Sequence, residues 1–316
     1  GGPAVLGVWR MTSWLFVTLS VICAWKEPNI YYEPPSRPEL TTMHMDQLRD
    51  FLASFSAISP PKIERGRWGR LGWLPTIAVS FNDLEHDRRV FVELDARDGT
   101  VIFFMRNPLP GTPAFYDPEK DKGEPMEAYL SAEEAFELAL PVLRHLNLST
   151  QMDDYTIEPH FARRPTLAEG SWSVERELTY NGIECYKCWI DIQVRAATRE
   201  VELVSYQPPI PPRAISSRIS KDEARARVSQ WIKTDREFSR FAQASVDESE
   251  DVREILVIPP EFKKMRTLPE EPWQSSYCWE VPVKVGVSEA HIRKGQFGIV
   301  PIPVEMDTGR ILIDLY

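Results

Sequence analysis

Three stretches of this chain superimpose residue for residue without a gap: RVFVELDARDGTVIFFM at 89–105, WIDIQVRAATREVELVS at 189–205 and IVPIPVEMDTGRILIDL at 299–315. Val90, Ile190 and Val300 share a column, as do Val92, Ile192 and Ile302, and then Leu94, Val194 and Val304. Past a short break, Val101, Val201 and Ile311 align, followed by Phe103, Leu203 and Ile313. Glu93, Gln193 and Pro303 fall between apolar columns, the period-2 alternation of a half-buried strand. Each stretch therefore reads as an antiparallel hairpin with one apolar face, and all five columns are expected to point into a core. Gly99 and Gly309 share one turn position, as backbone at φ > 0 requires. The middle stretch has Arg199 there, so its bend either differs or carries strain.

A helix is predicted ahead of each hairpin. Ser131–Glu134 and Ser220–Glu223 match the capping box, in which Ser and Glu reciprocally satisfy free N–H groups. Behind them Ala135, Ala139, Val142 and Leu143 match Ala224, Val228, Trp231 and Ile232 at helical spacing. Pro141 is expected to kink or shorten the first of these two helices. Leu48, Phe51, Leu52 and Phe55 form an earlier helical stripe, with only a weak cap near Thr42. Between helix and hairpin the chain again alternates: Ile77, Val79 and Phe81; Trp172, Val174 and Leu178; Trp279, Val281, Val283, Val285 and Val287. Asn181-Gly182 is a type I′ hairpin signal. The fold class that follows is α+β: three tandem modules, each one helix packed on an antiparallel β-sheet.

A helix opened by S-x-x-E-A, then strands, then a closing D-A-x-x-G-x-V hairpin resembles the PepSY family, a PepSY/cystatin-like arrangement. The motif stands as Ser131–Ala135 with Arg195–Val201 and as Ser220–Ala224 with Glu305–Ile311, while Asp95–Val101 supplies the hairpin half alone. Arg195 departs from the acidic residue that opens the turn, and the third copy is long between helix and hairpin. The apolar leader and the Pro-rich stretches at 26–40, 107–125 and 207–213 divide the chain into a leader and linker at 1–40, a divergent module resembling the family at 41–106, and further such modules at 126–207 and 217–316. The resemblance implies an exported, extracytoplasmic, non-enzymatic binding protein whose partner is a protein or peptide, such as an envelope peptidase that it regulates or inhibits. The family carries no catalytic residues to transfer.

Met11–Trp25 is an apolar run between Arg10 and Lys26, short for a bilayer span but matching a signal-peptide core. If the apolar residues before Arg10 also insert, the same region is an uncleaved anchor, giving membrane attachment through 11–25. Cys23 belongs to this leader and lacks the small preceding residue of a lipoprotein signal. Cys185 and Cys188 sit in IECYKCWIDIQV, where strand geometry holds their Cα atoms ~10 Å apart, beyond disulfide reach. A redox pair at this spacing normally opens a helix instead. Pairing of Cys185 with Cys278 stays open.

Chemistry is sparse. No HExxH, GxSxG, P-loop or GxGxxG occurs, and His44, His86, His145, His160 and His291 include no i, i+4 pair for a metal. No catalytic, cofactor-binding or metal-binding residue is therefore assigned, no cofactor is expected, and the binding residues stay unassigned. His145 is expected to act as a dipole contact at a helix end, and Asp247–Asp251 as a solvated loop. The net charge of -10 makes nucleic acid a poor partner. Arg65–Arg70 (RGRWGR) reads more simply as a hairpin tip. Trp172, Trp231 and Trp279 lie on core stripes, whereas Trp189 shares a polar face with Lys187 and Asp191. The 27 prolines and 15 glycines suit sheets with stiff turns. Pro301 and Pro303 remove two donors from one side of a strand, which is expected to be an edge or a bulge. Peptide addition to a sheet would then favour the first two copies. Two other classes compete with the binding protein: an envelope scaffold, and an enzyme with an unfamiliar site between modules.

Overall fold

The computed structural model describes residues 38–71, 74–109, 129–160, 170–236, 238, 241–259, 274–286, 288, 292–293 and 297–312. The leader, most of the 107–125 punctuation, His291, Val287 and Ile313 lie outside the described residues. The fold is α+β. The helices are α1 (Thr42–Phe55), α2 (Ala132–His145) and α3 (Lys221–Ile232). Twelve strands alternate with them: β1 (Arg67–Leu71), β2 (Leu74–Asp83), β3 (Arg88–Asp95), β4 (Val101–Pro108), β5 (Thr156–His160), β6 (Ser171–Tyr180), β7 (Ile183–Arg195), β8 (Glu200–Tyr206), β9 (Gln243–Val246), β10 (Arg253–Val257), β11 (Ser276–Gly286) and β12 (Gly298–Glu305). The chain divides into two compact units, Tyr32–Thr179 with Lys187–Pro209, and Tyr180–Tyr186 with Ile210–Tyr316.

In the first unit, α1 and α2 are each 14 residues long and begin with a reciprocal capping box. Ser131 and Glu134 form the one legible in the sequence. The other uses Thr41 and His44: Thr41 N–H donates to His44 Nδ1 at 3.1 Å, and His44 N–H donates to Thr41 Oγ1 at 3.3 Å. The weak cap expected near Thr42 is thus a full one, missed because an imidazole replaces the usual Glu. Leu48, Phe51, Leu52, Ala135, Ala139, Val142 and Leu143 are buried beneath the helices. Pro141 sits inside α2 without ending it. The helix closes on Asn147 at φ 55, and Leu148 N–H donates to Leu143 O at 2.9 Å.

The strands beneath run in the order β1-β2-β3-β4-β8-β7, with β6 beside β7 and β5 beside β6. The junction of β4 with β8 is the informative one. Its antiparallel register is Phe103↔Ser205, Phe104↔Val204 and Met105↔Leu203. Since these strands come from hairpins 100 residues apart, the pairing maps each onto the other about a local two-fold through Phe104 and Val204, both fully buried. The strands that match 299–304 in the first two copies are β3 and β7, and each already has neighbours on both sides, β2 and β4 for β3, β6 and β8 for β7, so neither offers the open edge that peptide addition needs.

In the second unit β11 is central. It pairs with β12 on one side and with β9 and β10 on the other, all antiparallel. β10 also runs parallel to the start of β7, with Ile255 opposite Glu184 and Leu256 opposite Cys185. Ala224 and Val228 of α3 pack with Val281, Val283, Val285, Ile302 and Val304. Beyond β12 a lone bridge joins Val304 to Ile311, and Pro303 O accepts from Leu312 N–H at 2.9 Å. The strand carrying Pro301 and Pro303 ends the named sheet path, yet past Pro303 it meets the returning chain at Ile311 and Leu312, so it is not the free edge expected there.

The three ribbon bends share one hydrogen bond: the N–H of Gly99, Arg199 and Gly309 donates at 2.9 Å to the carbonyl of Asp95, Arg195 and Glu305. All three donors have left-handed backbone, with φ of 77, 57 and 69. Arg199 thus forms the common bend and bears its strain. The columns Val90, Val92, Leu94 and Val101 are buried with Ile190, Ile192, Val194 and Val201. The fifth column differs. A register shift beside Leu94 and Val194 inserts one residue, so Phe103 and Leu203 leave the core face and are half-buried, with Phe103 meeting Phe91 at 5.9 Å. The basic run also differs from its expected place: Arg67–Arg70 lies on strand β1, paired to β2, rather than at a tip.

Each bend also meets the start of a helix. His44 Nε2 lies 3.3 Å from Ala96 O, Arg199 donates to Glu134 at 2.8 Å, and the N–H of Ile219, just ahead of the α3 cap, donates to Met306 O at 2.7 Å. Further along α3, Arg227 Nη1 donates to Gly309 O at 3.4 Å. A Cβ on Gly99 would lie 3.1 Å from His44 Cα; one on Gly309 would lie 2.4 Å from Arg227 Cζ. Gly99→Ala is expected to lower stability by about 1–2 kcal/mol, because it forces a side chain into left-handed backbone. Arg199→Gly relieves that strain while removing only an exposed ion pair, so it should destabilise clearly less than Gly99→Ala. Urea unfolding of the two variants checks the contrast.

Candidate functional site

The residues singled out for chemistry are held by ordinary structural contacts. His86 Nδ1 bonds Asp83 at 2.7 Å in the β2–β3 turn, and His160 is exposed on β5. His145 ends α2, but its ring packs against Phe51 with centroids 5.6 Å apart. Burial pushes its imidazole pKa down, with Asp50 opposing, so the neutral form is favoured over the cation that a dipole contact would need. Asp247 is buried: Ser249 donates to it through Oγ at 2.6 Å, and that bond, with a second from the Ser249 N–H, holds its carboxyl below the usual range. Glu248, Glu250 and Asp251 stay exposed, as a solvated loop would. Among the described residues, no group of three His, Cys, Asp or Glu is placed to hold a metal. Nor is any helix there long and apolar enough to cross a membrane.

Cys185, Cys188 and Cys278 are free thiols, all buried. Simple alternation would put Cys185 and Cys188 on opposite faces. Lys187, at φ 59, breaks the alternation and lets both side chains turn inward. Cys278 is raised well above the ordinary thiol range, first by burial and then by Glu305, which leaves it a poor nucleophile. The tryptophans are structural as well. Trp172 Nε1 donates to Leu130 O at 2.8 Å, and Trp279 Nε1 to Ile219 O at 2.9 Å. Leu130 and Ile219 immediately precede the caps of α2 and α3, so each indole ties a central strand to a helix start. Trp189 is half-buried. Near it Asp191 accepts from Ser173 at 2.5 Å and from Gln193 at 3.0 Å.

Two cavities in the first unit stand out among the described residues. One, of about 220 Å³, is lined by Thr100, Val101, His145, Asn147 and Tyr206 together with Gln47 and Leu146. The other, of about 200 Å³, is lined by Arg106, Arg199, Glu200, Val201, His86 and Leu138 together with the stretch Phe55, Ser56, Ala57 and Ile58. They are counterparts under the β4–β8 two-fold. Val101 matches Val201, Thr100 matches Glu200 and Tyr206 matches Arg106, each 100 residues apart; on the helices His145 matches Phe55, 90 residues apart. Their contents differ sharply. The first offers neutral hydrogen-bonding groups: burial pushes the Tyr206 hydroxyl up to about 12, with Cys188 and Asp98 adding. The second holds the Arg106 guanidinium, 8% exposed, 3.2 Å from Glu200. Burial depresses the Arg106 pKa, against the pull of Glu200. Both volumes fall short of the ~300 Å³ of a typical small-molecule pocket. Sequence reasoning assigned no binding residue; the signal it lacked is a pairing between strands a hundred residues apart.

No family model matches the chain, and no curated protein matches it. Among solved structures, the Bacillus megaterium YpeB C-terminal domain aligns at 12% identity and a TM-score of 0.34, over 88% of this chain and 97% of that one.

Tyr206 sets a pH dependence. A phenol whose ionisation is raised from 10.0 to about 12 on folding contributes stability that is complete below pH 10 and lost as pH rises toward 12. Stability measured by urea unfolding should fall across that window, and Tyr206→Phe should make the fall shallower.

Proposed function

We propose that the chain is an exported, non-enzymatic binding protein of three PepSY-like modules, spanning 41–106, 126–207 and 217–316 behind a leader at 1–40. The observation that carries the modular part is the common bend: one hydrogen bond, one left-handed residue and one helix start at each of three places. The indole contacts of Trp172 and Trp279 support the same reading for the second and third modules. Such modules bind rather than catalyse, and an envelope peptidase is the partner, which it regulates or inhibits. The identity of that partner rests on the PepSY resemblance alone.

A scaffold reading draws on one observation, the edge-to-edge pairing of β4 with β8. A module edge that already serves module–module contact is suited to spacing other components. The two readings separate in one experiment. Purified full chain added to the peptidase activity of its native envelope fraction should inhibit or modulate it and recover the peptidase in pull-down. Unchanged activity with no recovered peptidase, together with self-association at high concentration, would favour the scaffold.

A further inference from the structure

The two-fold of the first unit supplies an internal control for its cavities. Equivalent backbone frames both cavities, so packing alone does not demand a cation in either. One keeps Tyr206, Gly99 and Thr100 where the other has Arg106, Arg199 and Glu200. A guanidinium is costly to bury, and Arg106 is more than nine-tenths buried while lining open space. Its ion pair is with Glu200, a contact of 3.2 Å to a side chain that is itself 39% exposed, while Glu202 and Asp83 attract it and Arg88 repels it through space. Five N–H donors in a fixed fork exceed what one such carboxylate satisfies. Phe55, Ala57, Ile58, Leu138 and Val201 supply an apolar part of the wall, beside the polar Ser56, His86 and Arg199.

We propose that this cavity binds a carboxylate carried next to a small apolar group, with Arg106 receiving the carboxylate and the apolar wall receiving the side chain. The chemistry is shared by the C-terminal residue of a peptide and by a free aliphatic acid. Glu200 then acts as the resident counter-ion, which an incoming carboxylate displaces toward solvent. Arg199 also lines the cavity, already paired with Glu134, and serves to keep the local potential positive. The site goes beyond the binding role proposed above and does not depend on a peptidase partner.

The test is an isotope-edited NMR titration of the full chain with N-acetyl-L-leucine, N-acetyl-L-leucinamide and isocaproate. The acids should bind saturably and perturb residues around 106, 138 and 200, with the amide at least about tenfold weaker because it cannot form the charge-assisted pair. A tighter N-acetyl-L-leucine identifies a peptide end as the source; a tighter isocaproate identifies a free acid. Arg106→Tyr, which copies the counterpart cavity, should lose acid binding. Glu200→Gln should strengthen it, since the competing carboxylate is gone, and this gain would not follow from a merely structural ion pair. Equal binding of acid and amide, no saturable binding, or weaker acid binding by Glu200→Gln would each overturn the proposal.

Discussion

A single left-handed residue governs how each helix meets its sheet. At Gly99, Arg199 and Gly309 the backbone reverses through a positive φ, and its N–H closes a ring onto the residue four positions earlier. The reversal brings the bend against the first turn of a helix, where free N–H groups already require partners. Glycine satisfies this geometry without strain. At Arg199 the strain is accompanied by a side chain that reaches the capping Glu134. That contact lowers the Glu134 pKa, chiefly through the hydrogen bond from Arg199, so the pairing is held above the usual carboxylate range and lost on acidification.

The residue that opens each bend follows a related logic with a change of sign. Asp95 is buried and chelated by Arg97. Glu305 is buried and accepts from Ser276 at 2.9 Å, Thr308 at 2.6 Å and Arg310 at 3.1 Å. Arg195 reverses the charge, and Glu202 answers it where the other hairpins carry the apolar Ile102 and Leu312. The charge reversal at Arg195 is therefore compensated locally, which is why the middle bend keeps its shape.

Much of the fold was legible because it is local. Capping at Ser131 and Ser220, the stripes of α1 to α3 and the Asn181-Gly182 turn all follow from short-range spacing. The failures also have local causes. One inserted residue beside Leu94 reverses parity and sends Phe103 to the other face; one left-handed Lys187 brings Cys185 and Cys188 to the same fate. His44 completes a capping box that no usual pattern describes. The cavities were illegible for a different reason. Arg106 and Glu200 meet only because β4 pairs with β8, a tertiary choice that no alternation along either strand encodes.

That pairing also organises the chemistry. A two-fold arrangement of similar hairpins makes two similar hollows, and divergence at 99/199, 100/200 and 106/206 makes one neutral and one charged. The common bend beneath both is tested most directly by trans-hydrogen-bond scalar couplings in the labelled protein. Couplings from the amides of residues 99, 199 and 309 to the carbonyls of 95, 195 and 305 should all be present. Couplings at 99 and 309 with none at 199 would contradict a shared architecture.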